Sequence, residues 1–152
     1  MISNKAKYAF RALLAIAAEP DGEAITSAEI SRRYNISHKF LEQILLDLKK
    51  AGILDSRRGK SGGYVMLRPA DTISFGEVLR IFQGALAPLP CLSRQFYRRC
   101  EDCVSEANCE IRREFARSYD ASRKVLDSRT IGDALTNSPM EQPIPSEERR
   151  AG

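Results

Sequence analysis

The feature that most limits the fold is a change of period near residue 52. Before it, apolar residues recur at three- and four-residue steps. Tyr8, Ala9, Ala12, Leu13, Ile16 and Ala17 share one face of a helix predicted over 4–19. Pro20-Asp21-Gly22 ends that helix. Thr26-Ser27-Ala28-Glu29 has the spacing in which a hydroxyl and a carboxylate cap a helix start reciprocally. A short helix is expected from Ser27 to about Tyr34. Asn35-Ile36 turns the chain, and Ser37 is the next N-cap candidate. Phe40, Leu41, Ile44, Leu45 and Leu48 then mark a longer helix, ended by Gly52. Beyond Gly52 the pattern shortens. Ile53-Leu54 and Tyr64-Val65-Met66-Leu67 are β-favouring runs around "DSRRGKSGG", which predicts a hairpin with a flexible, positive tip.

Helix, short helix, tight turn, longer helix, hairpin is the order of a winged helix-turn-helix. The chain is expected to be mainly α with a small β-hairpin wing. In such a fold the longer helix enters the major groove by its N-terminal residues. Here those are Ser37, His38, Lys39, Phe40, Glu42 and Gln43. Gln43 suits adenine, and Glu42 can accept from a cytosine amino group. Arg57, Arg58 and Lys60 at the hairpin tip can lie along phosphates or enter the minor groove. Charge agrees: residues 1–68 carry 12 Lys or Arg against 7 Asp or Glu, whereas residues 69–152 carry 12 against 13. A basic half favours a polyanionic partner, here a double-stranded DNA operator.

Ser74-Phe75-Gly76-Glu77 repeats the capping-box spacing and opens a helix to about Phe82. From Glu110 to Asp127 the helical period returns, with Ile111, Phe115, Tyr119, Ser122, Val125 and Leu126 in one stripe. A last short helix is expected over 130–135. The segment 137–152 is rich in proline and polar residues and reads as a disordered tail. The resulting division is a DNA-binding domain over 1–84, a cysteine-rich sensor loop over 85–109, a dimerisation helix region over 110–136 and the tail.

All four cysteines lie in one stretch, "CLSRQFYRRCEDCVSEANC". Cys91, Cys100, Cys103 and Cys109 can complete a tetrahedral zinc site or hold an iron–sulfur cluster of the 2Fe-2S or 4Fe-4S kind. Zinc sites commonly bring two close pairs together. Only Cys100 and Cys103 form a close pair here, and the loose loop around them modestly favours a larger object, a cluster. Arg94, Arg98 and Arg99 lie among the thiols and would favour thiolate. Four free thiols without metal is the bland alternative. No apolar run approaches the roughly 18 residues of a membrane span, and Arg11 interrupts the apolar stretch that a signal peptide would need. A cytoplasmic protein is expected, where structural disulfides rarely persist. No Ser/His/Asp set or phosphate-binding glycine loop is present, and His38 is the single histidine. An enzyme is not expected. The rival is a metal-stapled interaction or electron-transfer module, with zinc or a cluster and no DNA role.

The segments "KAKYAFRALLAIA", "NISHKFLEQIL", "RRGKSGGYVM" and "ISFGEVL", with a cysteine loop before a long helix, resemble the IscR/NsrR type of bacterial winged-helix transcription regulators over about residues 1–136. The resemblance implies a homodimer paired through the helix at 110–127, sequence-specific DNA binding by Ser37 to Gln43 and by Arg58, and a cysteine-held cluster whose state changes DNA affinity. Such proteins typically use three cysteines and a different fourth ligand, sometimes acidic and from the partner's first helix. This chain has Lys7 or its neighbours where that ligand would align. Either the fourth cysteine replaces it, or one of Cys100 and Cys103 is spare. Lys60-Ser61 also stands where Pro-Gly or Gly-Gly is more usual. Some members bind no cluster and act through thiol oxidation or a protein partner.

Overall fold

Ser3 starts the first helix: its Oγ accepts from the Ala6 N–H at 3.2 Å, and α1 runs Asn4–Ala17. This computed structural model describes residues 2–20, 22–94 and 96–136; the predicted tail lies outside them. Ala6, Ala9, Ala12, Leu13, Ala15 and Ile16 of α1 are buried. Alanine combines the best helix propensity with a small side chain, so neighbouring elements approach the α1 backbone closely. Helices α2 (Ser27–Tyr34), α3 (His38–Lys50), α4 (Phe75–Gln83) and α6 (Ile131–Thr136), together with the second strand, all pack on α1. The core is the apolar face of α3 (Leu41, Ile44, Leu45, Leu48) with Leu13, Ile30, Ile53, Leu54, Ile73, Val78 and Ile131.

The caps follow the sequence only in part. The Thr26 hydroxyl accepts from the Glu29 N–H at 3.1 Å, and that of Ser74 accepts from the Glu77 N–H at 3.1 Å. The returning carboxylates do not complete the boxes. Glu29 pairs with Arg32 at 2.6 Å, and Glu77 takes both arms of Arg68, at 2.8 and 3.1 Å. A guanidinium within reach outcompetes a single backbone N–H for a carboxylate. Ser37 occupies the N-cap position of α3 without a side-chain capping bond. Asn35 takes the left-handed conformation (φ 50°) that ends α2 and re-aims the chain into α3.

The hairpin pairs β1 (Leu54–Arg57) with β2 (Gly63–Met66) antiparallel, from Leu54 opposite Met66 to Arg57 opposite Gly63. The strands thus extend into the stretch read from sequence as tip, and only residues 58–62 turn. The sequence reading also missed a third attachment. Ile25, just before α2, bridges to Tyr64, with Ile25 N–H to Tyr64 O at 3.2 Å and Tyr64 N–H to Ile25 O at 2.8 Å. The wing is therefore tied to the helix-turn-helix by backbone hydrogen bonds. Gly63 permits this close approach: its φ is 150°, and a Cβ there would sit 2.5 Å from the Ile25 carbonyl oxygen.

After a 3₁₀ turn at Ala70–Thr72 comes α4, then a 3₁₀ turn at Pro90–Leu92, the cysteine segment, and α5 (Glu110–Ser128). The chain then returns to the core. Phe75 N–H donates to Arg129 O and Ile131 N–H to Ile73 O, both at 2.9 Å, and Ile131 is fully buried. No residue of α5 is buried. Among the described residues no helix is long and apolar enough to cross a membrane.

Gly63→Ala should destabilise the protein by about 2–4 kcal/mol, because backbone stands where the new methyl must go. Urea denaturation should show a lower midpoint, whereas Gly59→Ala in the open tip should cost less.

Candidate nucleic-acid interface and thiol cleft

Two groups of candidate residues occupy different parts of the molecule. The first is the start of α3 with the wing tip. Ser37, His38, Lys39, Glu42 and Gln43 are exposed, and Phe40 is 37% exposed, its ring edge-on to Tyr8 at 6.0 Å. Leu41 takes the core position beside it. His38 Nε2 lies 3.0 Å from the Ser27 Oγ and 3.7 Å from Glu42, so the histidine joins the start of α2 to α3. The Gln43 amide donates to Asp47 at 3.0 Å, and Asp47 in turn accepts from Lys5 at 2.7 Å. Gln43 is thus held by its own helix, and α3 is held to α1 by an ion pair. The bonded Lys5 ammonium, and secondarily the Gln43 amide, keep the Asp47 carboxyl below its ordinary pKa, against partial burial that pushes it up.

Arg58 and Lys60 are exposed at the tip, without ion-pair partners among the described residues. Arg57 is not at the tip. It ends β1, and its guanidinium donates to the Gly22 carbonyl beyond the end of α1. That bond makes Arg57 a brace for the wing base.

The second group is the cysteines. Cys91, Cys100, Cys103 and Cys109 all line one open cleft of about 470 Å³, together with Leu89 and Ile111 among others. Cys91 is buried in the 3₁₀ turn, and Cys100 is exposed. Local desolvation pushes the Cys100 thiol up from its ordinary value, although the residue as a whole is exposed. Neighbouring Cys91, Asp102 and Cys103 add to that shift. A turn joins Cys103 N–H to Cys100 O at 3.3 Å. Cys109 is the N-cap of α5, its Sγ accepting from the Arg112 N–H at 3.4 Å. Among the described residues no three such side chains are drawn close enough to hold a metal ion as they stand.

The arginines expected among the thiols divide. Arg99 donates to the carbonyls of Cys103 and Val104 at 2.8 and 3.3 Å and so shapes the loop backbone. Arg94 faces a different cavity. The exposed apolar residues of α5 are Ile111 (63%), Phe115 (47%) and Val125 (61%).

Comparison with known proteins agrees with this geometry. A family model for Rrf2, described as iron-dependent transcriptional regulators, matches residues 2–137. The chain belongs to the Rrf2 family. It is 46% identical over 138 residues to a protein of Rhodobacter capsulatus described as an rrf2-like helix-turn-helix-type transcriptional regulator, covering 89% of this chain and 92% of that one. It is 32% identical over 142 residues to the regulator CymR of Bacillus subtilis, covering 93% and 94%. The solved structure of CymR, the global cysteine regulator of B. subtilis, superposes with a TM-score of 0.74 at 29% identity over 91% of this chain and 98% of that one. The T. potens IscR structure shares the fold, with a TM-score of 0.69 at 24% identity, covering 97% of this chain and 95% of that one. This Rrf2 chain is a DNA-binding transcriptional regulator with a winged-helix fold, and its relatives are regulators rather than enzymes.

The Lys5–Asp47 pair carries a pH signature. Asp47 has a lowered pKa in the folded state, so its contribution is complete above the unfolded value near ~4 and is lost as pH falls through the folded one. Asp47→Asn should cost about 1 kcal/mol or less at pH 7. Paired urea melts of wild type and variant should converge as pH drops below ~4; a gap that persists at low pH would show that the pair is not its source.

Proposed function

We propose that this regulator reads duplex DNA as a homodimer and adjusts its grip through an iron–sulfur cluster held by the cysteine loop. The observation that carries the sensing half is the convergence of all four cysteines on one cleft beside the start of α5. Four thiols are a sufficient donor set for a cluster, from within one subunit. The exposed Lys7 offers no alternative ligand. The loop must tighten for the sulfurs to meet; Cys100 and Cys103 sit on one turn and Cys91 on another. When bound, such a group supplies reversible electron-transfer chemistry and a covalent tie between the four ligand positions.

The chain's own residues would carry the consequence. Cys109 caps α5, so a shift of its sulfur moves the first turn of that helix. The far end of α5 is docked on α4 through Arg80 and Asp127 at 2.8 Å. The pull at one end and the anchor at the other would set the tilt of α5. We assign the dimer contact to its exposed stripe of Ile111, Phe115 and Val125, which would otherwise face water. Paired heads must meet successive major grooves about 34 Å apart, so tilt translates into affinity. Ser37, His38, Lys39, Phe40, Glu42 and Gln43 would face the groove, with Arg58 and Lys60 on the backbone. Reading a base with Gln43 requires release of its bond to Asp47. Arg57 would act indirectly, by holding the wing. A cytoplasmic location is consistent with this role.

A second reading has its own support. Cys91 and Cys100 border the same cleft without metal, and a CymR of Staphylococcus aureus has been solved in an oxidised form. In that reading the loop is a thiol switch. Anaerobic purification, an absorption spectrum and iron, sulfide and zinc analysis distinguish the two. Visible absorption with iron and sulfide is expected, and exchange of all four cysteines for serine should abolish both and change operator affinity by roughly 5- to 150-fold. A colourless protein with stoichiometric zinc, or one whose DNA binding ignores the serine exchange, would overturn the cluster assignment. On the DNA side, Arg58→Ala should weaken binding to all sequences and reduce the salt slope by about one, whereas Gln43→Ala should cost about 1–3 kcal/mol at a single base pair. If neither alters duplex affinity, the assigned reading surface is wrong.

A further inference from the structure

A second cavity, of about 230 Å³, lies where α4, the segment after Cys91 and α5 meet. Its polar lining is Arg80, Ser93, Arg94, Tyr119, Arg123 and Asp127. Three arginines and a single aspartate therefore line it. Asp127 is already committed to Arg80 at 2.8 Å, and its carboxylate lies so close to α4 that a Cβ on Gly76 would be 2.0 Å from its Oδ1. Arg94 and Arg123 have no ion-pair partner among the described residues. The Nε of Arg123 is moreover buried without any hydrogen-bond acceptor. A buried N–H on a permanently charged group is costly to leave unsatisfied. Ser93 is 6% exposed, and its Oγ accepts from the Phe96 N–H at 2.9 Å, which leaves the hydroxyl hydrogen free to donate. Tyr119 adds a further hydroxyl to the wall.

We propose that this cavity is a binding site for a small oxyanion of charge −2, such as phosphate, sulfate or a short dicarboxylate. The chemistry is complementary: an acceptor-only ligand meets donors from Arg94, Arg123, Ser93 and Tyr119, and its charge offsets the two unpaired cations. Planar guanidinium groups match the paired oxygens of such ions. The cavity's volume of about 230 Å³ accommodates an ion of this size. The carboxylate of Asp127 also faces the cavity, but Arg80 neutralises it. A bound anion would join α5 to the segment that carries Cys91, at a point separate from the thiol cleft. This site does not depend on whether a cluster is held.

The test is titration calorimetry on the full-length protein without DNA, at matched ionic strength in sodium chloride. Inorganic phosphate, sulfate and malonate are the separate probes. Saturable binding of at least one is expected, with the preferred probe separating tetrahedral from dicarboxylate ligands. Arg123→Gln and Arg94→Gln should each weaken it at least tenfold, whereas Arg32→Gln on the distant α2 should change it less than twofold. Arg94 is exposed, so its replacement keeps the test open if the Arg123 variant folds poorly. Absence of saturable binding by all three probes, or equal weakening by Arg32→Gln, would overturn the assignment.

Discussion

Close packing on the alanine face of α1 is the constraint on which the remaining structure depends. Ala6, Ala9, Ala12 and Ala15 are all buried, and five other elements of the fold rest on this helix. A larger side chain at any of these positions would push a neighbour outward, because protein interiors have few voids to absorb it. Helix α3 is one of those neighbours. Its inward face of Leu41, Ile44, Leu45 and Leu48 is fully buried, which forces the alternate positions Lys39, Glu42 and Gln43 outward. The proposed DNA-reading surface is thus the geometric complement of the core. The Ile25–Tyr64 bridge then fixes the wing relative to that surface by backbone hydrogen bonds, which do not depend on side-chain rotamers.

Helix α5 obeys a different rule. None of its residues is fully buried, yet it is attached at both ends. At its C-terminal end the Arg80–Asp127 pair, the Phe75–Arg129 backbone bond and the buried Ile131 hold it to the winged domain. At its N-terminal end the only cap is a sulfur, that of Cys109. In the proposed reading, a helix anchored at one end and capped by a ligand sulfur at the other would report on the chemistry at that sulfur. Both the thiol cleft and the arginine-lined cavity lie along the path between these two attachments, so ligands at either would act on the same lever.

Much of the fold was legible because its signals are local. The 3.6 period of 4–19 and of the helix before Gly52, the threonine and serine cap positions, the turn at Asn35-Ile36 and the glycine-rich hairpin turn each depend on residues within a few positions of one another. Errors arose where a competing partner intervened. Glu29 and Glu77 follow the capping-box spacing, but arginines claim their carboxylates. Arg57 belongs to a cationic run, but the Gly22 carbonyl draws it back to the wing base. Arg94 sits among the thiols in sequence, yet it turns to a cavity shared with Arg80 and Arg123.

By itself the sequence determined the order and type of the elements, the polarity of α3, and the presence of four thiols in one loop. These follow from side-chain periodicity and backbone preference, which operate over one or two turns. Only the tertiary structure decided that the four sulfurs border a single cleft, that Asp127 meets Gly76, and that three arginines from separate segments surround one cavity. Those meetings arise when α4, the cysteine segment and α5 are packed together, and no local pattern encodes the partner that packing will supply.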